Sequence, residues 1–326
     1  MTKETKKIMV TGALGQIGSE LTRALRKKYG SDNVLATDIQ DPSSTGSPER
    51  EPFVFLDVTD EAKIEETIKT HRIDTIYHMA AVLSASGEKN PQRAWHVNVN
   101  GTYNILEISR RLEIARIFVP SSIAVFGPET PRHHTPQETI LRPRTIYGIT
   151  KVTGELLGDY YVQRFGLDVR GCRFPGIISH ETLPGGGTTD YAVAIYYEAV
   201  KNKRYACFLK EDTRLPMMYM PDCLKAILQL MEVDFPRLKH HADFNLTAMS
   251  FTPEELAAEI RKHIPEFTCN YQPDFRQAIA DSWPMTIDDS AAREEWGWKP
   301  DYGLAAMTED MLEILSMRQK GGKLDD

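Results

Sequence analysis

Cysteine is scarce. Four in 326 residues, Cys172, Cys207, Cys223 and Cys269, are too scattered for a disulfide framework and lack the paired spacing of a zinc site. A metal-free protein of a reducing compartment is the reading they favour. No apolar run approaches the ~20 residues that cross a bilayer. Positive charge is not in excess either: 46 acidic against 39 basic residues leave −7, which argues against a nucleic-acid surface. The opening Met1-Thr2-Lys3-Glu4-Thr5-Lys6-Lys7 has no arginine and runs straight into an apolar stretch, so neither a signal nor a transit peptide is expected there. What remains is 41% hydrophobic and 26% charged, ordinary for a globular chain of one large domain or two closely joined ones.

Short apolar runs alternate with helical patterns through the first half. Ile8-Met9-Val10 ends in a glycine-rich turn, and residues 17–29 place Leu21, Ala24 and Leu25 on one helical face. Val34-Leu35-Ala36 leads to Thr37-Asp38, and Phe53-Val54-Phe55-Leu56 leads to Asp57. A helix over 62–71 precedes the strand-like Thr75-Ile76-Tyr77-His78, and another over 91–112 precedes Ile117-Phe118-Val119. A helix at Tyr147 and a strand at Asp168-Val169-Arg170 follow. This alternation predicts an α/β fold, a doubly wound parallel sheet of Rossmann type that binds ligands beyond the carboxyl ends of its strands. Gly12, Asp38, Asp57, Ala80, Ala81 and Ser122 all follow predicted strands and are expected along one crevice. Residues 41–52, rich in Pro, Ser and Gly, read as a surface excursion. Past Pro175 the pattern turns irregular, with Pro184-Gly185-Gly186-Gly187 and Ser282-Trp283-Pro284. That predicts a smaller C-terminal substrate-binding cap over 175–326, intimately joined to a cofactor-binding unit over 1–174, and a frayed polar tail from Met317.

Gly12-x-x-Gly15-x-x-Gly18 directly follows the first strand and opens a helix. Glycines there allow a tight turn, close approach to a pyrophosphate and helix–sheet packing, and the helix N-terminus offers unpaired N–H groups with positive potential. Asp38 ends the second strand 20 residues after Gly18. An acid at that point can accept hydrogen bonds from a ribose and repels a 2′-phosphate, so NAD is expected rather than NADP. Asp57 can reach an adenine amino group or serve the N-terminus of the next helix, and the residues leave both open.

Tyr147 and Lys151 stand four apart and share a helical face. A free phenol titrates at about 10. A neighbouring ammonium and a positive nicotinamide ring are expected to lower that value and make Tyr147 a base. Lys151 can also hold the nicotinamide ribose, and Ser122 can donate to a substrate oxygen as charge develops on it. Together these residues predict hydride transfer at a carbon bearing a hydroxyl.

The same motifs resemble the extended short-chain dehydrogenase/reductase superfamily over nearly the whole chain. Ser121-Ser122-Ile123-Ala124-Val125-Phe126-Gly127 is similar to its serine motif, with Phe126 where a tyrosine is usual, and Asn98-Val99-Asn100-Gly101-Thr102 is similar to its Asn-Val-x-Gly-Thr segment. The resemblance implies that Asn98 supports the active-site loop and Lys151, and that His78-Met79-Ala80-Ala81 underlies the cofactor. It also implies that Gln16, Ile17, Val58 and Pro175 belong to the cofactor site. A narrower likeness, to the epimerase-like L-threonine 3-dehydrogenases, rests on the 12–18 turn, on Pro120-Ser121-Ser122-Ile123-Ala124 and on the run 142–151. Gly185-Gly186-Gly187-Thr188-Thr189-Asp190-Tyr191-Ala192 and Leu215-Pro216-Met217-Met218-Tyr219-Met220-Pro221-Asp222 extend it. It implies NAD-dependent oxidation of L-threonine to 2-amino-3-oxobutanoate with Tyr147 as base. Ser84, Gly187 and Thr189 would serve the zwitterion, Trp283 would wall off its methyl group, and residues 185–187 would act as a hinge.

Each of these residues also suits a plainer role: Ser84 a loop hydroxyl, Thr189 a turn, Trp283 core packing, Asn98 a helix-packing amide. The alternative activity is that of a UDP-sugar 4-epimerase or related nucleotide-sugar enzyme, which uses the same tyrosine, lysine and serine. A dehydratase is disfavoured by Ile123-Ala124, where an Asp-Glu pair is usual. The resemblance further implies a homodimer through the helices around 98–111 and 147–165, and a cytoplasmic location or, in a eukaryote, the mitochondrial matrix. Beyond the small-molecule substrate and a second copy of the chain, neither nucleic acid nor membrane is an expected partner.

Overall fold

A computed structural model of the chain describes residues 6–42, 52–181 and 185–322. The strands β1 (Ile8–Thr11), β2 (Val34–Asp38), β3 (Phe53–Phe55), β4 (Thr75–His78), β5 (Arg116–Phe118), β6 (Ser121–Ser122) and β7 (Val169–Arg170) follow in chain order. All but β6 join one six-stranded sheet in the order β3-β2-β1-β4-β5-β7, and every pairing is parallel. A sheet of this kind is covered on both faces, which is why β1 reads as an unbroken apolar run. Ile8 and Val10 pack into one layer and Met9 into the other.

The connections are α1 (Gln16–Tyr29), α2 (Glu61–His71), α3 (Ser84–Lys89), α4 (Pro91–Trp95), α5 (Thr102–Arg111) and α6 (Ile146–Phe165). Leu21 and Leu25 of α1 cover the Ile8 face. Ile64 and Ile68 of α2, Ile105 and Ile108 of α5, and Tyr161 of α6 cover the Met9 face. The helix expected over 91–112 is present with one difference: α4 and α5 are joined by a π-helical turn, His96–Gly101, holding Asn98. Such turns insert one residue per hydrogen-bonded ring and re-aim a side chain.

The second half supplies β8 (Cys172–Phe174), β9 (Gly176–Ile178), α7 (Tyr191–Asn202), β10 (Arg204–Cys207), β11 (Leu215–Tyr219), α8 (Met220–Leu230) and β12 (Phe244–Asn245). It continues with β13 (Met249–Phe251), α9 (Pro253–His263), β14 (Thr268–Tyr271), α10 (Arg276–Ala280), α11 (Ser290–Trp296) and α12 (Leu304–Lys320). These strands make three small sheets, β12-β8-β6, β13-β11-β9 and β10-β14. Tyr191, Ile195 and Tyr196 of α7, Leu256 and Ile260 of α9, and Met307 and Met311 of α12 form a second core, which Ile123, Ala124, Val125 and Phe126 of the first half join. In contrast, Cys223, Ile227 and Leu230 of α8, with Phe244, Trp296 and Trp298, return to cover the Ile8 face of the large sheet.

The fold is thus the expected doubly wound α/β sheet with a smaller C-terminal cap. Of the tail expected from Met317, α12 takes in residues as far as Lys320, with Met317 exposed. Most of the excursion expected at 41–52 lies outside the described residues, as do Pro184 and the last four positions. Among the described residues no helix is long and apolar enough to cross a membrane, and no cluster of potential metal ligands occurs.

Candidate active site

The turn after β1 is shaped by what glycine lacks. Gly12 has φ 64°, and a Cβ on it would lie 2.6 Å from the Ala80 nitrogen. A Cβ on Gly18 would lie 2.1 Å from the Gly12 carbonyl oxygen. The turn, α1 and the end of β4 therefore approach more closely than side chains permit, leaving the start of α1 open to a ligand. Asp38, buried at the end of β2, accepts from Leu14 N at 3.0 Å and from Gln40 N at 3.1 Å, which fixes its carboxylate beside the turn. This cradle with an adjacent buried acid fits a dinucleotide.

A pocket of about 240 Å³ runs from the cradle to the cap. Its wall unites Gly12, Gly15, Gln16, Ile17, Gly18, Ala81, Ser84, Ser122, Tyr147, Lys151, Pro175, Gly187, Thr189 and Trp283, all expected from the sequence. Five expected residues stand outside that wall. Ala80 abuts Gly12 through its backbone, and Asp38 lies beside the turn as described. Asp57 accepts from the Thr59 amide and hydroxyl, both at 2.8 Å, while the neighbouring Asp60 caps α2. Val58 packs on the π turn, where a Cβ on Gly101 would come within 2.7 Å of it.

Asn98 is the fifth. Its side chain accepts from Val82 N at 2.8 Å and donates to Val82 O at 3.0 Å and to Thr150 Oγ1 at 3.1 Å. It thereby ties the loop after β4 to α6, one residue from Lys151.

Helix α6 starts at a Thr145 cap, whose hydroxyl accepts from Gly148 N at 3.1 Å. The cap sets Tyr147 in the first turn and Lys151 in the second. Lys151 Nζ donates to Pro120 O at 2.7 Å and lies 5.6 Å from the centroid of the Tyr147 ring. Ser122 Oγ accepts from Ala124 N at 3.2 Å and is hydrogen-bonded to the Tyr147 phenol. His78 lies behind them, buried, between Thr11 Oγ1 (2.9 Å) and Thr102 Oγ1 (3.2 Å). Burial, aided by Lys151, drives His78 down to about 3 and keeps it neutral.

The electrostatics of the site's own residues run the other way from those expected with a bound cofactor. Burial pushes the Tyr147 phenol up to about 12, and only the Ser122 hydrogen bond works against it. Burial likewise lowers Lys151 to about 8, with Glu155 opposing. The Lys151 ammonium together with a nicotinamide ring was expected to lower it; with the site's own residues alone, desolvation outweighs the Ser122 hydrogen bond.

Asp190 was missed as a site residue although it stands inside a quoted motif. Its Oδ2 accepts from Gly186 N at 2.8 Å and Gly187 N at 2.7 Å, folding the glycine turn back over the pocket. It is the one carboxylate among the described pocket residues, as Lys151 is the one ammonium. The signal available was an acid three residues beyond a glycine run, where it can reach backbone N–H groups. Ser84 Oγ and Thr188 Oγ1, 3.4 Å apart, join the loop after β4 to the cap across the pocket.

A nucleotide cradle at the end of a parallel sheet, with a Ser-Tyr-Lys set in the same pocket, defines a class. The chain belongs to the NAD dependent epimerase/dehydratase family, whose profile matches residues 8–246. An uncharacterised epimerase/dehydratase of Staphylococcus saprophyticus is 51% identical over 316 residues, 97% of this chain and 98% of that one. Within the family the chain is similar to the epimerase-like L-threonine dehydrogenases. The L-threonine dehydrogenase of Clostridium difficile superposes with TM-score 0.94 at 52% identity, covering 98% of this chain and 99% of its own. A monomeric L-threonine 3-dehydrogenase from a metagenome does so with TM-score 0.92 at 47% identity, covering 95% and 99%.

Proposed function

We propose that this protein oxidises L-threonine at C3 to 2-amino-3-oxobutanoate with NAD as oxidant. The observation that carries the reading is a single pocket in which Tyr147, Ser122 and Lys151 adjoin the glycine cradle while Asp190 faces them from the cap. Bound NAD would supply the hydride acceptor, and the carboxylate of Asp38 favours it over its 2′-phosphorylated form.

The chain's residues divide the remaining work. Gly12, Gly15, Gln16, Ile17 and Gly18 hold the pyrophosphate end, with Asp57, Val58, Ala80, Ala81, Asn98 and Pro175 completing the cofactor's surroundings. Tyr147 Oη takes the proton from the substrate hydroxyl. Ser122 Oγ donates to the same oxygen, and Lys151 supplies the positive charge that offsets burial of the phenolate. Ser84 and Thr189 donate to the carboxylate beside Gly187, Asp190 accepts from the ammonium, and Trp283 closes the methyl side. The free cysteines and bacterial relatives support a cytoplasmic setting.

The test is NADH formation with L-threonine, followed by absorbance, and in parallel conversion of UDP-galactose followed by a coupled glucose readout, since 4-epimerisation leaves no net NADH. Threonine-dependent NADH is expected, and Tyr147→Phe should retain NAD binding while losing roughly 10²–10⁴-fold in kcat. Wild-type turnover in that variant, or epimerisation without threonine oxidation, would overturn the reading.

A further inference from the structure

Tyr147, Lys151, Glu155 and Asp159 recur every fourth residue along α6. The last two are not needed to build the pocket. Glu155 is 4% exposed, and Ser121 Oγ donates to its Oε1 at 2.5 Å. Arg173 forks onto both its oxygens at 2.9 and 2.8 Å and also reaches Asp243 Oδ2 at 3.3 Å. Asp159, half-buried at the outer end of the row, accepts from the Ala242 backbone.

Between Lys151 and Glu155 lies a small cavity of about 10 Å³, walled also by Asn98, Thr150, Ser121 and Gly154. That is roughly room for one water with several polar partners. Glu155 and Asp243 both bind one guanidinium, Asp159 lies close enough to feel both acids, and Glu138 is more distant and exposed. A plain structural ion pair would need only one of them. Burial and the neighbouring acids push Asp159 up to about 6 and raise Glu155 as well.

We propose that this row is a proton exit: a proton on Lys151 passes through the cavity water to Glu155 and on to Asp159 and solvent. The inference rests on the oxidation proposed above, in which the substrate O–H bond breaks and Tyr147 Oη gains a proton. Lys151 Nζ then loses one proton outward and regains one from the Tyr147 side. The interior charge is unchanged, and one proton appears in solvent per turnover.

Two measurements on the full-length protein test it. In the first, side-chain carboxyls are ¹³C-labelled and titrated by NMR without substrate, with Asp159→Asn and Glu155→Gln used for assignment. Lys151→Met should raise the Glu155 and Asp159 midpoints by about half a pH unit or more, since it removes a facing positive charge. In the second, proton release is followed with an indicator dye against NADH formation during a single turnover. Asp159→Asn should delay release behind NADH by about fivefold or more, at unchanged KM, because the outermost carrier is gone. This variant is half-exposed and keeps the Arg173 pair intact. Synchronous release in Asp159→Asn, or midpoints unmoved in Lys151→Met, overturns the exit. Absence of threonine-dependent NADH in the wild type would instead sink the oxidation reading, and the titration would still decide the coupling.

Discussion

At Tyr147 two forces compete, and their balance predicts a pH profile. Burial holds the phenol at about 12 while Ser122 works to lower it, and burial brings Lys151 down to about 8. The reactive form needs the phenol deprotonated, so kcat/KM for threonine should rise with pH, about tenfold per unit on the acid limb. Ser122→Ala removes the one hydrogen bond that favours the phenolate and should move that limb to higher pH. A steady-state profile from pH 6 to 10 reads both effects, and a flat profile would remove Tyr147 from the role of base. The residue types were legible in advance because Tyr147 and Lys151 share a helical face and the glycine triplet follows a strand. Their titration was not, because it depends on how much water the cap excludes, and a helical spacing says nothing of that. Asp190 escaped for a related reason: its carboxylate faces the pocket only once Gly186 and Gly187 have folded onto it.

Among the elements, the π turn His96–Gly101 connects sequence to site most directly. Regular α periodicity would carry Asn98 elsewhere; in the π turn its amide meets both backbone groups of Val82 and the Thr150 hydroxyl. Asn98→Leu should leave those buried groups unpaired, costing on the order of 2–4 kcal/mol in urea unfolding. It should also cut kcat by releasing the loop that carries Ser84; wild-type stability and turnover would refute this account. The 91–112 stretch reads as one helix because its apolar spacing barely changes through the turn. Short cap strands such as β9 and β11 were illegible for a different reason. Gly176 pairs with Met217 and Ile178 with Tyr219, partners some 40 residues away that no local pattern announces.

For the molecule as a whole, the exposed apolar residues are not evenly spread. Trp95, Tyr103, Ile149, Leu156, Tyr160 and Phe165 lie on α4, α5 and α6, which pack together, and Leu156 is 63% exposed. A stripe of this kind fits the homodimer expected from the resemblance, which we propose here. Light scattering should then give twice the chain mass, and Leu156→Glu should halve it while the far-ultraviolet circular dichroism is kept. A wild-type monomer, as in the metagenomic relative, would refute the dimer. The return of α8, Phe244, Trp296 and Trp298 to the Ile8 face of the sheet has its own consequence, and it concerns synthesis. Strand β5 leaves the ribosome long before Trp298 does, so the part of that face which α1 leaves bare waits uncovered for roughly 10 to 35 s at about 5–20 residues per second. A nascent chain in that condition is a natural client for chaperones, and a ribosome stalled before Trp298 would leave a fragment that sticks to its neighbours instead of folding.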